Sequence, residues 1–153
     1  MRILTRTALL AAAALSISAG GNAMQVPAQP VARSTADSAL GWGPCPPVFP
    51  GECQIAVLHG NPSQPNADIL LRVAPGYVLP PHRHTSAERM ILLHGRLEVK
   101  YQGAPAVVLR QGHYAYGPAG LPHRAACTSD EPCLLFIAFE GPVDAEPFAG
   151  KVD

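Results

Sequence analysis

Four polar side chains between residues 82 and 123 are of the types that hold metal ions: His82, His84, Glu88 and His123. His82 and His84 are two positions apart, so on a strand both project to one face, and Glu88 lies a further even step along. His123 follows the turn-like segment 117–120, which can carry the chain back across the molecule to the other three. Three imidazoles and a carboxylate form a donor set that suits Mn, Fe, Ni, Cu or Zn rather than Ca or Mg.

The segments around these residues are short apolar runs separated by Gly or Pro, which predicts an all-β domain. Within residues 96–101, apolar and polar side chains alternate as a half-buried strand requires. No stretch shows sustained helical spacing. About eight strands on two sheets suit a jelly roll or small barrel. The predicted strands are Cys53–Leu58, Ile69–Val73, Arg89–Leu93, Arg96–Tyr101, Val107–Leu109, Tyr114–Tyr116, Arg124–Cys127 and Leu134–Phe139.

The first 23 residues have the pattern of a secretory signal peptide. Arg2 and Arg6 precede the apolar run 8–15, and small residues lead to Ala23. The run is shorter than the ~20 residues of a membrane span, so we expect no membrane association after cleavage. Residues 24–42 are rich in Ala, Ser, Gln and Pro and are interpreted as a flexible leader. Residues 43–153 then form one folded domain.

Cysteine usage supports export to the periplasm or the medium. All four cysteines follow residue 23, and an even number in a short secreted chain favours disulfides. Three pairings are formally open. We favour Cys45 with Cys53 and Cys127 with Cys133, because each closes a short turn-rich segment.

The balance of charge excludes several classes of partner. Without residues 1–23 the chain keeps nine basic and eleven acidic side chains, and it has no run of Lys or Arg. Nucleic acid and anionic membranes are therefore poor candidates. A small molecule is the expected partner, and a homodimer stays open.

Two glycine-framed motifs resemble those of the cupin family. The first is Gly, five residues, His-x-His, three or four residues, Glu, six residues and Gly, and the second is Gly, five residues, Pro-x-Gly, two residues, His, three residues and Asn. Only the final Asn is missing, because Cys127 stands in its place. The matching residues are Gly76, His82, His84, Glu88, Gly95, Gly112, Pro118, Gly120 and His123.

The resemblance implies a single-domain cupin barrel, a jelly roll, that binds one divalent transition metal ion through His82, His84, Glu88 and His123. The identity of the ion stays open among Zn, Cu, Mn, Ni and Fe. Cys127 shares the parity of His123 and could add a soft ligand, although a disulfide with Cys133 is favoured.

The function of such a site has two interpretations. Small exported cupins of this kind resemble quercetinase-like dioxygenases, so the first is metal-dependent dioxygenase or isomerase chemistry on a small oxygen-rich molecule, with Glu88 as the catalytic base. The second is a non-catalytic module that captures a small molecule or a metal. Met90 and Leu92 share the parity of Glu88 and are candidates to line the cavity. By contrast, His59, His94 and His113 lie beside turns and are expected outside the site.

Overall fold

The computed structural model describes residues 29–153, so the predicted signal peptide lies outside the described residues, as does the first part of the predicted leader. Contacts group Val31–Asp153 into one compact unit. This part of the chain contains eleven strands and no helix. No helix in the described range is therefore long and apolar enough to cross a membrane. The strands are β1 (Trp42–Pro44), β2 (Cys53–His59), β3 (Ala67–Val73), β4 (Val78–Arg83), β5 (Glu88–His94), β6 (Arg96–Tyr101), β7 (Val107–Arg110), β8 (Tyr114–Gly117), β9 (His123–Cys127), β10 (Cys133–Phe139) and β11 (Glu146–Pro147).

The strands form two antiparallel sheets. A six-stranded sheet has the order β1-β2-β3-β10-β5-β8, and a five-stranded sheet has the order β11-β4-β9-β6-β7. Strands β9 and β10 alternate strictly between buried and half-buried residues, as expected where one face meets the core. The main core lies on the inner faces of both sheets and includes Leu71, Leu97, Val99, Leu135 and Ile137. The predicted all-β jelly roll is confirmed.

All eight predicted strands are present, within two residues at each end. Strand β4 is not among the predicted strands, although it matters for the site. It was missed because it contains Pro80 and Pro81. Prolines cannot donate to a sheet ladder, and they are tolerated at irregular positions. The ladder between β4 and β9 is irregular here, since Leu79 pairs with Ala125 but His82 pairs with His123.

Both predicted disulfides are present. One joins Cys45 to Cys53, and the other joins Cys127 to Cys133. The second connects the end of β9 in the five-stranded sheet to the start of β10 in the six-stranded sheet. The alternative role of Cys127 as a free thiolate ligand is therefore wrong, because its sulfur is bonded to Cys133.

Candidate metal centre

The four predicted ligand residues converge inside the barrel, and all are buried. His82, His84, Glu88 and His123 have exposed fractions of 3%, 7%, 2% and 4%. One ligand nitrogen from each of the three imidazoles lies within 4.8 Å of the other two. The carboxylate oxygens of Glu88 lie 3.5 Å from Nε2 of His84 and 3.4 Å from Nε2 of His123.

Two sheets and a connecting loop supply these side chains. His82 and His123 are directly paired on β4 and β9 of the five-stranded sheet. Leu79 and His82 both point inward although they are three positions apart, because the irregularity at Pro80 and Pro81 adds one residue between them. Such a bulge re-aims the side chains that follow it.

Glu88 reaches the site by a route that the sequence pattern did not predict. Even spacing places Glu88 on the same strand and face as His82. Instead, the chain turns after His84, and Glu88 is the first residue of β5 in the six-stranded sheet, where it pairs with Gly117 and Phe139. Glu88 therefore does not share a strand with His82, although its side chain lies in the same cavity.

Backbone carbonyls hold all three imidazoles in one tautomer. Nδ1 of His82 donates to the carbonyl oxygen of Pro80 at 2.7 Å, and Nδ1 of His123 donates to that of Leu121 at 3.3 Å. Nδ1 of His84 donates to the carbonyl oxygen of Asp144. A carbonyl can only accept, so Nδ1 carries a proton in each ring, and in the neutral form of the ring Nε2 keeps its lone pair. Metal-binding histidines are oriented in this way in many proteins.

Burial keeps two of these imidazoles neutral. Burial is the main reason that the pKa of His82 is lowered to about 4; the Pro80 hydrogen bond partly opposes this effect, and the neighbouring His84 adds a smaller lowering. Burial also lowers the pKa of His123 to about 3, with help from His82 and His84. A neutral imidazole is the form that ligates metals. At neutral pH these two rings therefore need to release no proton when an ion binds.

The carboxyl group of Glu88 is buried and only partly satisfied. Burial raises the pKa of its carboxyl above the ordinary value, and the nearby His84 opposes that rise. Among the described residues, its Oε1 has no hydrogen-bond partner. A buried carboxylate oxygen without a partner is costly unless a cation neutralises it. The donor chemistry of this cluster thus fits a divalent ion.

Tyr101 and Asp144 belong to the site, and the sequence reasoning missed both. Tyr101 pairs with His123 across β6 and β9, with ring centroids 5.0 Å apart. Burial, and then the carboxylate of Glu88, raise the pKa of its hydroxyl, which has no partner among residues 29–153. The sequence does contain a signal for Tyr101: it lies on the same face of β6 as Leu97 and Val99, which line the cavity.

Asp144 fixes the loop that follows β4. Its Oδ1 accepts from the backbone N–H of Thr85 at 3.0 Å, its Oδ2 accepts from the Thr85 hydroxyl, and its carbonyl accepts from His84. Next to it, Glu146 binds Arg83 at 2.9 Å. No pattern in the sequence connects a residue near 144 with a histidine at 84.

The remaining candidate residues lie inside or outside the cavity as the sequence predicts, with one exception. Met90 lines the cavity beside the ligand set, but Leu92 does not, because it is completely buried in the core. His59, His94 and His113 are exposed, and His94 forms an ion pair with Glu131 instead.

The chain matches a family model described as the ChrR cupin-like domain over residues 32–144. The chain belongs to this family. The resemblance to cupins seen in the two motifs is thereby confirmed. No curated protein sequence matches the chain.

Solved structures with the same fold include proteins of several activities. The DMSP lyase DddQ from Ruegeria pomeroyi DSS-3 superposes with a TM-score of 0.61 at 22% identity, over 73% of this chain and 64% of the lyase chain. The polyketide cyclase RemF from Streptomyces resistomycificus gives 0.63 at 17% identity, over 80% of this chain and 89% of the cyclase. The oxalate decarboxylase from Bacillus subtilis, which has Mn(II) centres, gives 0.53 at 19% identity, over 63% of this chain and 28% of its own.

These similarities establish the fold of this cupin. The chain spans less than two thirds of the length of the lyase, so the activity of that whole protein does not transfer with the fold. Several chemistries share one cupin barrel, and function has to be argued from the site itself.

Proposed function

We propose that this cupin binds one divalent transition metal ion through His82, His84, His123 and Glu88. The observation that carries the proposal is the common orientation of the three buried imidazoles, each of which turns Nδ1 to a backbone carbonyl and leaves Nε2 for a metal. The same cavity contains Glu88, whose Oε1 lacks a hydrogen-bond partner among the described residues. Nitrogen and carboxylate donors together favour Zn, Cu, Mn, Ni or Fe over Ca or Mg.

The same geometry supports an enzyme that acts on a small molecule with oxygen donors, of the dioxygenase or isomerase type. The bound ion would supply Lewis acidity and polarise an oxygen atom of that molecule. Glu88 is the candidate catalytic residue, because burial raises the pKa of its carboxyl, so this group keeps a proton to higher pH than an ordinary glutamate and is a stronger base once ionised. The hydroxyl of Tyr101 lies near Glu88 and is a possible proton donor.

A non-catalytic binding module is the second candidate. The observation in its favour is that Glu88 is the one carboxylate among the described residues that line the cavity, and it is also a candidate ligand. If Glu88 remains on the ion throughout, no base is left for proton transfer.

The variant Glu88→Gln separates the two candidates. The amide keeps the size of the side chain and one oxygen acceptor but removes the charge and the basicity. We expect it to keep a measurable fraction of the metal and to lose turnover, in an oxygen-consumption and isomerisation screen over catechols, flavonols and diketones. If ligand capture instead follows metal content alone in Glu88→Gln and in the three histidine variants, the chain is a binding module. A protein that takes up no metal at all would refute both candidates.

We further propose that the protein is exported and works in the periplasm or the medium. Two disulfides in one small domain support an oxidising compartment. The amino terminus of the mature protein, determined after secretion, should follow residue 23. Intact residues 1–23 on protein recovered from the cytoplasm alone would contradict export.

A further inference from the structure

The cavity beside the ligand set is small and mostly apolar. Its volume is about 50 Å³, and its polar lining consists of the four proposed ligand residues. A cavity needs at least about 10–15 Å³ to hold one water molecule, so this volume leaves room for only a small group beside an ion. The rest of the lining is apolar and is mostly aliphatic, with Leu71, Leu79, Met90, Leu97 and Ile137 among its residues.

Such a cavity matches a ligand with two unlike ends. An oxygen head would lie at the ion, since all polar lining groups are there, and an apolar tail would lie among the aliphatic side chains. A ligand that is polar along its whole length would leave buried donors and acceptors without partners at the aliphatic wall.

One wall of the cavity is Phe49, which comes from a loop rather than from a strand. Its ring contacts that of His82 edge-on, with centroids 4.6 Å apart, and only 7% of the residue is exposed. The loop is fixed at both ends by the disulfide between Cys45 and Cys53. Tyr77 also donates from its hydroxyl to the carbonyl of Pro50 at 2.8 Å.

We propose that Phe49 sets the length of the apolar tail that the site accepts. A rigid aromatic wall next to His82 closes the cavity close to the proposed ion, so only tails of a few carbon atoms fit. No strand pairing involves Phe49, so its ring can be removed without breaking a sheet. This inference rests on the proposed metal site.

The test uses the full chain loaded with Zn²⁺ and a series of straight-chain hydroxamates from acetohydroxamate to octanohydroxamate, which share one metal-binding head. Titration calorimetry gives the affinity of each. In the unmodified protein, we expect affinity to rise by about fourfold for each added methylene. The rise should stop within the series, at the chain length at which the tail meets Phe49.

Phe49→Ala should extend this rise to longer chains, and Phe49→Leu, which keeps much of the apolar volume, should extend it less. Phe136→Ala is the matched control, because Phe136 packs in a separate apolar cluster with Leu40 and Leu70. It should leave the length limit unchanged.

The outcomes distinguish this inference from the metal proposal. If Zn²⁺ does not bind, the proposed metal site is wrong, and so is the role of Phe49 that depends on it. Zn²⁺ can instead bind with one ion per chain while hydroxamate affinity does not depend on chain length, or while both Phe49 variants keep the original limit. Either result refutes the role of Phe49 alone.

Discussion

At the scale of single residues, the site depends on how each donor is held. The Nδ1 atoms of His82, His84 and His123 each donate a hydrogen bond to a backbone carbonyl, so Nε2 is the nitrogen that remains for a metal. Because the partners are backbone atoms, no side-chain substitution elsewhere removes them directly. Glu88 differs, since its Oε1 has no such anchor among the described residues. Packing therefore matters more for the position of Glu88 than for the three rings.

Gly117 provides much of that packing. A Cβ atom on this residue would lie 2.7 Å from Oε1 and 2.9 Å from Cγ of Glu88. Glu88 is buried and would have to move, so Gly117→Ala should weaken metal binding by about 10- to 100-fold, as changes to groups that orient metal ligands do. Competition with a coloured chelator measures this. Gly43→Ala is the control, because no atom of residues 29–153 outside its chain neighbours lies within 4 Å of the position that its Cβ would take. Equal affinities in the two variants would contradict the packing role.

Acid should destabilise the metal-free protein through the buried imidazoles. Burial lowers the pKa of His123 from 6.5 to about 3 and that of His82 to about 4. Below pH 6.5 the unfolded chain therefore takes up protons that the folded protein cannot, and the free energy of unfolding falls with the pH until about pH 4. Glu88 has the opposite effect, because its raised pKa favours folding as the pH falls. The effect of His123 is therefore best measured in a Glu88→Gln background.

Urea unfolding with chelator present, at pH 7 and pH 5, tests this effect. The Glu88→Gln protein should lose about 2 kcal/mol more between these pH values than the Glu88→Gln/His123→Gln protein does. Equal losses in the two proteins would mean that His123 is not held neutral by burial.

At the scale of strands and loops, the two disulfides connect different parts of the fold. The bond between Cys127 and Cys133 joins the two sheets, whereas the bond between Cys45 and Cys53 closes the loop that carries Phe49. The sequence separations are similar, at 6 and 8 residues. Each bond should therefore stabilise the fold by about 2–3 kcal/mol in the chain-entropy model.

Removing one disulfide at a time separates stability from ligand selection. Both double Ser variants should unfold at lower urea concentration. Only Cys45→Ser/Cys53→Ser should also broaden the range of hydroxamate lengths that the Zn²⁺-loaded protein binds, because Phe49 is then less constrained. A broadened range in Cys127→Ser/Cys133→Ser as well would show that general loosening, and not the Phe49 loop, controls selection.

The sequence predicted the elements with a clear period and missed those without one. Strand β6 alternates over its whole length and was predicted with its observed bounds. Strand β4 has no such signal, because Pro80 and Pro81 interrupt its ladder. The ligand types and spacings were visible in the motifs, but the crossing of Glu88 to the other sheet and the contact of Asp144 with His84 depend on tertiary structure. These are contacts between distant parts of the chain, which a local pattern cannot encode.

At the scale of the whole molecule, the proposed ion would connect both sheets. His82 and His123 belong to one sheet, Glu88 belongs to the other, and His84 lies on the loop between β4 and β5. An ion that binds the folded state but not the unfolded chain stabilises the fold in proportion to the logarithm of its concentration. Metal binding should therefore raise the unfolding temperature of this barrel, and chelation should lower it.

The most direct test of the central claim is the metal content of purified protein, measured by mass spectrometry of the metal after dialysis. The unmodified chain should hold close to one transition metal ion, and His59→Ala should hold as much, because His59 is exposed at the end of β2. His82→Ala and His123→Ala should hold far less, since each loses a neutral nitrogen donor at neutral pH. Full occupancy in both of these variants would contradict the site.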